Sequence, residues 1–139
     1  MKKAYPVFIA QHNEDFLVFI PDWDIYTEGK SVPDAIAMAR DAIGLKGIDF
    51  EDDGKEIPEA SSYEESVKKA KKDTEIFDYT KGILTMVDVD FTEYRKRHDN
   101  RMIKKNCTIP YYLNVEAEKL GINFSRLLQD ALLQKTGLS

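Results

Sequence analysis

Lys104, Asn106 and Thr108 recur at every second position. In an extended strand all three would share one face, with Lys105, Cys107 and Ile109 on the other. The first set is a row of hydrogen-bonding groups. A two-stranded ribbon carrying such a row fits the DNA major groove. There lysine suits guanine acceptors, asparagine suits adenine, and threonine suits a polar edge or a thymine methyl. Downstream, Asn123 can cap a helix whose first amides, from Phe124 and Ser125, would point at a backbone phosphate. Lys104, Asn106, Thr108, Asn123, Phe124 and Ser125 are therefore the candidate DNA-contacting residues.

Other chemistry is poorly supported by the residue types. A two-metal nuclease needs converging carboxylates, normally with one central in the first strand, but residues 4–11 contain no acid. Asp22, Asp24 and Glu28 cluster at an expected strand end or turn. They are candidates for contacting a protein partner rather than catalytic groups. Asp49-Phe50-Glu51-Asp52-Asp53-Gly54 opens like a calcium loop, yet Ala60 stands where the closing glutamate belongs. The single cysteine, Cys107, excludes an internal disulfide and a cysteine-rich zinc site. It is most simply a small buried hydrophobe. His12 and His98 lie in polar surroundings and suggest neither a metal centre nor a nucleophile's base. The expectation is a protein with no enzymatic activity, metal or cofactor.

The positioning elements follow from pattern. Residues 4–10 and 16–20 are apolar and β-prone, separated by a polar turn, so they predict a hairpin. FLVFI at 16–20 is apolar throughout, which predicts a strand covered on both faces. A third short strand is expected at 25–28. Ser31 then caps a helix, with Pro33 in its first turn. Ile36, Ala39 and Ile43 share one helical face, and Gly44 and Gly47 are expected to end the helix. Residues 49–58 form an acidic loop. Ser61 with Glu64 matches a capping box for a helix through about Lys72, and residues 82–90 alternate as a strand. The sum is an α+β fold, β-β-β-α-(α)-β, with helices on one sheet face. Residues 1–92 are expected as one domain, 93–102 as its charged connection, and 103–139 as a second module.

That module comprises a strand over 104–109, a helix opened by Pro110 and closed near Gly121, and a second helix from Asn123. Leu113, Ala117, Leu120, Leu127, Leu128, Ala131 and Leu132 form its apolar stripe. Forty residues cannot bury that surface alone; two copies with paired strands can, which predicts a homodimer, or a tetramer of two dimers. The alternative docks the segment on the N-terminal sheet as extra core, at odds with its polar strand face and local positive charge. The net charge of −5 hides an asymmetry: residues 1–99 hold 14 Lys/Arg against 22 Asp/Glu, residues 100–139 hold 6 against 3. Residues 1–60, with 6 against 13, would draw in a cationic partner. No run approaches the roughly 20 apolar residues of a membrane span, and the N-terminus lacks a signal-peptide pattern; a cytoplasmic protein is expected.

The C-terminal segment resembles a ribbon-helix-helix repressor. Thr-Ile-Pro ends the strand at 108–110, Leu-Gly-Ile-Asn closes the first helix at 120–123, and FSRLLQDAL follows at 124–132. The preceding succession is YPVFIAQHNEDFLVFIPDW at 5–23, TEGKSVPDAIAMARDAI at 27–43, DDGKEIPEAS at 52–61 and MVDVDFTEYR at 86–95. It is similar to HicB-type antitoxins of type II toxin–antitoxin systems. The resemblance implies a partial RNase-H-like domain joined to a C-terminal DNA-binding domain. It also implies binding of a HicA-type toxin, an mRNA interferase, and repression of the operon encoding both. Residues 21–26 depart from the pattern, since many relatives carry a Pro-Gly-Cys-type turn there. Two function classes fit: a regulator that binds toxin and operator, and a dimeric repressor whose N-terminal domain senses a ligand. A neighbouring gene for a small basic protein would favour the first.

Overall fold

A computed structural model of the chain describes residues 1–74 and 76–138. It divides into two compact units, Met1–Arg101 and Met102–Ser139. The first contains strands β1 (Lys2–His12), β2 (Asp15–Ile20) and β3 (Ile25–Gly29), helices α1 (Val32–Asp52) and α2 (Tyr63–Ala70), strand β4 (Ile83–Asp90) and helix α3 (Phe91–His98). The second contains α4 (Tyr111–Lys119) and α5 (Phe124–Thr136). The chain is thus a mixed α+β protein.

The four strands form one antiparallel sheet in the order β3-β2-β1-β4. The β1–β2 turn is tight: His12 pairs with Asp15, and Asn13 takes φ 57°, a conformation asparagine tolerates. Alternation sends Tyr5, Val7, Ile9, Val18, Ile20, Val87 and Val89 to one face. There they pack with Trp23, Phe91 and the Ala35-Ala39-Ile43 stripe of α1. Phe8 and Phe19 point the other way, under Ala70 of α2, with Val67, Tyr79 and Leu84 around them. The uninterrupted apolarity of residues 16–20 therefore serves two cores, as a doubly covered strand requires.

Four local expectations need correction. The helices do not share one sheet face: α1 covers the Tyr5, Val7 and Ile9 face, and α2 covers the Phe8 and Phe19 face. Gly44 and Gly47 do not end α1, which continues to Asp52 and absorbs the first part of the expected acidic loop. Both glycines are notches for α3: a Cβ on Gly44 would sit 2.6 Å from the Tyr94 ring, and one on Gly47 would run into the ring of the buried Phe91. Close packing thus outweighs the roughly 1 kcal/mol propensity cost of each helical glycine. The α2 cap is one residue later than the capping-box match: Ser62 Oγ accepts from the Glu65 amide, while Ser61 bonds to Asp22. Within the stretch expected as connection, residues up to His98 are helical in α3 and belong to the first unit.

The caps at the other helices follow the sequence. Ser31 Oγ accepts from the Asp34 amide at the start of α1. Pro110 stands at the start of α4, and Gly121 with φ 65° follows its end, where only glycine adopts the left-handed region without strain. Asn123 Oδ1 accepts from the Arg126 amide and opens α5.

Candidate functional site

The second unit is a small scaffold with almost no interior. Ala117 is its one buried hydrophobic residue among those described, while Leu113, Leu120, Phe124, Leu127, Leu128, Leu132 and Leu133 are all partly or largely exposed. Residues 99–110 carry no regular secondary structure in the single chain. A lone strand has no ladder to join, so a ribbon over 104–109 needs a second copy. Even so, the segment is sorted by parity. Lys105, Cys107 and Ile109 line a groove of about 540 Å³ together with Phe124, Leu127, Leu128 and Ala131. Lys104, Asn106 and Thr108 take no part in it, although every residue of 104–109 is exposed in the single chain, including Cys107, against the expectation of a buried hydrophobe.

The three residues at the start of α5 have distinct duties. Asn123 spends its side chain on the Arg126 amide. Phe124 and Ser125 both line the groove. The amides of Phe124 and Ser125 lie in the first turn, where no intrahelical acceptor exists. The six expected DNA-contacting residues therefore fall into an exposed row, Lys104, Asn106 and Thr108, and a helix start, Asn123, Phe124 and Ser125.

The three acids of the first unit separate sharply. Asp22 is buried, its side chain 2% exposed; its carboxylate accepts from the Ser61 amide at 3.0 Å, from the Ser61 hydroxyl and from Lys69 Nζ at 3.1 Å. It pins residue 61 to the turn after β2 and is not a surface contact. Asp24 is exposed, in the left-handed region at φ 50°. Glu28 is exposed on β3, on the face shared with Tyr26, since Tyr26 pairs with Phe19 and Glu28 with Leu17.

Sequence reasoning missed two features of this unit. One is an aromatic strip on the sheet face away from α1. Phe19 and Tyr26 stack at 4.7 Å, Tyr79 lies 5.5 Å from Phe19, and Phe77 lies 5.0 Å from Tyr79. The spacing of Phe77 and Tyr79 outside any strand gave only a weak signal. The other is an ion network where α1 ends. Arg95 reaches Glu51, Asp52 and Asp99, and Arg101 reaches Asp52 and Asp99, at 2.7–3.0 Å. The Arg101 guanidinium hydrogen-bonds both carboxylates and holds Asp52 and Asp99 below the usual carboxylate range. Glu51 and Asp52 of the calcium-like stretch are thus engaged by arginines in a helix. Among the described residues no group of three or more His, Cys, Asp or Glu is placed to hold a metal ion. Among the described residues no helix is long and apolar enough to cross a membrane.

Comparison with known proteins agrees with this architecture. No curated protein matches the chain significantly. A solved structure described as a toxin-antitoxin complex from Streptococcus pneumoniae is 27% identical, with a TM-score of 0.57, covering 97% of this chain and 99% of that one. The crystal structure of the Burkholderia pseudomallei antitoxin HicB is 21% identical, with a TM-score of 0.52 and 98% coverage of both chains, and shares the fold. The model of the family described as "HicB_like antitoxin of bacterial toxin-antitoxin system" matches residues 5–129. With nearly the whole chain matched, the protein belongs to the HicB-like antitoxins of bacterial toxin–antitoxin systems.

Proposed function

We propose that the chain neutralises a HicA-type mRNA interferase through its first unit, a partial RNase-H-like domain, and represses its own operon through its second. In this reading the second unit is a ribbon-helix-helix dimer, with tetramers as a further assembly, working in the cytoplasm without a cofactor. Two copies pair their 104–109 segments and place Lys104, Asn106 and Thr108 from both chains in the major groove. The Phe124 and Ser125 amides, held by the Asn123 cap, take a backbone phosphate on each side.

The observation that carries this reading is the parity of residues 105–109. The odd residues line the apolar groove at α5 while the even ones stay outside it, the division a DNA-reading ribbon requires. The exposed leucines of α4 and α5 supply the surface that a second copy would cover. Antitoxin membership supports the toxin partner, and the acidic excess of residues 1–60 suits a cationic one. Co-expression with the product of the neighbouring gene, followed by a mobility shift on the operon's promoter, tests both halves. The complex should co-purify and shift the promoter but not a scrambled duplex. A chain that binds neither contradicts the reading.

A further inference from the structure

β4 ends the sheet on one side, and among the described residues no strand pairs with its outer edge. Alternation fixes which backbone groups point outward there. His12 and Asp15 face each other across the tight β1–β2 turn, so the even residues of β1 turn their N–H and C=O groups toward β2 and the odd ones toward β4. Tyr5 with Val87, Val7 with Thr85 and Ile9 with Ile83 are then the bonded pairs, and Leu84, Met86 and Asp88 present their backbone groups outward. Asp88 agrees with this parity: its carbonyl accepts from Arg40 Nε at 2.9 Å, and its carboxylate accepts from the same guanidinium at 3.1 Å. The Met86 carbonyl is met by the Thr85 hydroxyl at 3.5 Å, a far weaker guard.

The side chains along this open edge are apolar on both faces of the sheet. Ile83, on the α1 face with Val87 and Val89, is 51% exposed; Met86, on the α2 face with Leu84, is 57% exposed. Residues 82–87 carry no charge. An occupant lying on one face would cover one of these side chains, whereas a strand added along the edge covers both. The opposite edge is built differently. β3 has five residues against the eight of β4, with exposed Asp24 just before it and exposed Glu28 within it. A like strand running antiparallel would set these acids against each other.

The charges bounding β4 select its occupant. Lys81 precedes the strand, and Asp88 and Asp90 end it. A second copy running antiparallel brings Lys81 of each chain beside the acids of the other, whereas a parallel copy sets like against like. Centring the pair on Thr85 places Thr85 opposite its counterpart, a pair that strands favour, with Leu84 opposite Met86 and Ile83 opposite Val87, apolar against apolar. Gly82, whose amide already donates to the Tyr79 carbonyl, falls opposite Asp88 and leaves the Arg40 pair in place. We propose that β4 pairs antiparallel with β4 of a second copy, joining two sheets into one and two ribbon-helix-helix dimers into a tetramer. The proposal rests on the reading that the second unit dimerises, and supplies the other contact of the larger assembly. So short a ladder is weak by itself, and the four-copy state fills only as concentration rises.

Light scattering on the full chain over a concentration series tests the pairing. The parent should rise from two copies to four. Met86→Lys adds a charge at a position exposed enough to keep the fold, which a thermal melt checks, and should stay at two. Glu28→Lys on the opposite edge should behave like the parent. Cysteine cross-linking in a Cys107→Ser chain, under mild oxidation at the concentrated end of the series, reads the register. Thr85→Cys should link two chains, because directly opposed Cβ atoms lie about 4.5–5.5 Å apart. Ile83→Cys should not, because its two copies would lie roughly 13 Å apart along the strands. A parent that stays at two copies, a Met86→Lys chain that still reaches four, or a Thr85→Cys chain that stays unlinked overturns the proposal. If the parent instead runs from one copy to two and Met86→Lys stays at one, the β4 pairing stands and the second-unit dimer falls.

Discussion

Asn106 and Ser125 are both polar residues of the second unit, yet they answer different questions about DNA. On the ribbon reading Asn106 contacts a base edge. Asn106→Ala should therefore cost roughly 1–3 kcal/mol on the operator and little on a scrambled duplex. On the same reading α5 meets a phosphate at Ser125, so Ser125→Pro, which removes its amide donor, should weaken both duplexes alike. Anisotropy titrations of both duplexes at one salt concentration check the pair; full operator affinity in Asn106→Ala would place the strand register one residue off. Asp22 makes the opposite case. Its buried carboxylate serves Ser61 and Lys69, so Asp22→Ala should lower stability by about 1–3 kcal/mol in urea melts, most of it internal to the first unit. In sequence Asp22, Asp24 and Glu28 are three equivalent acids. Only the fold shows that one is structural and two remain on the surface, because burial depends on residue 61 returning across the sheet. Tyr5 is likewise internal. Its hydroxyl donates to the Pro58 carbonyl at 2.7 Å, and burial, then the charges of Glu59 and Asp22, push it up to about 12. Its contribution is complete below pH 10 and is lost as pH rises from there through about 12, which an alkaline unfolding series of the parent against Tyr5→Phe reads out.

At the scale of elements, α1 shows where local rules yield to packing. Gly47→Ala raises helix propensity by roughly 1 kcal/mol, yet the added methyl meets the ring of Phe91, itself 1% exposed. The clash should win by about 1–3 kcal/mol, so a thermal melt should show destabilisation; a stabilised Gly47→Ala would mean α3 moves aside. The four strands of the first unit were readable because alternation and apolar runs are local signals, and so were the Ser31 and Asn123 caps, whereas the strand expected over 104–109 is absent from the single chain. The full length of α1 was not readable, since the reason for Gly44 and Gly47 lies far downstream in the sequence, in Tyr94 and Phe91. The network of Arg95, Arg101, Asp52 and Asp99 was hidden for the same reason. The two carboxylates titrate below their ordinary values because of Arg101. Their contribution is therefore full above about pH 4 and lost as pH falls through the depressed values. Hydrogen exchange at residues 99–101 should accelerate in Arg101→Ala at neutral pH, and in the parent only under strong acid or high salt. The free chain leading to the second unit accordingly begins at Met102, later than the charged stretch from residue 93 suggested.

For the whole molecule, the two units bury surface in different ways. The first closes two clusters around its sheet, while the second leaves most of its leucines exposed. On the proposed function, a 16.0 kDa chain so built binds toxin at one end and stays incomplete at the other until a second copy covers it. The apolar stripe of α4 and α5, more than so short a segment can bury, was visible in the sequence. What sequence could not supply was the aromatic face beside β3, assembled from residues 19, 26, 77 and 79 by strand pairing and a returning loop. On the proposed function, toxin binding and dimerisation reside in separate units. Light scattering on toxin complexes of the full chain and of a fragment ending at Arg101 tests it most directly. The full chain should give a complex with two antitoxin copies, each holding toxin, and the fragment a complex of one antitoxin with one toxin. A fragment that still forms a dimer, or that folds and holds no toxin, would contradict the account.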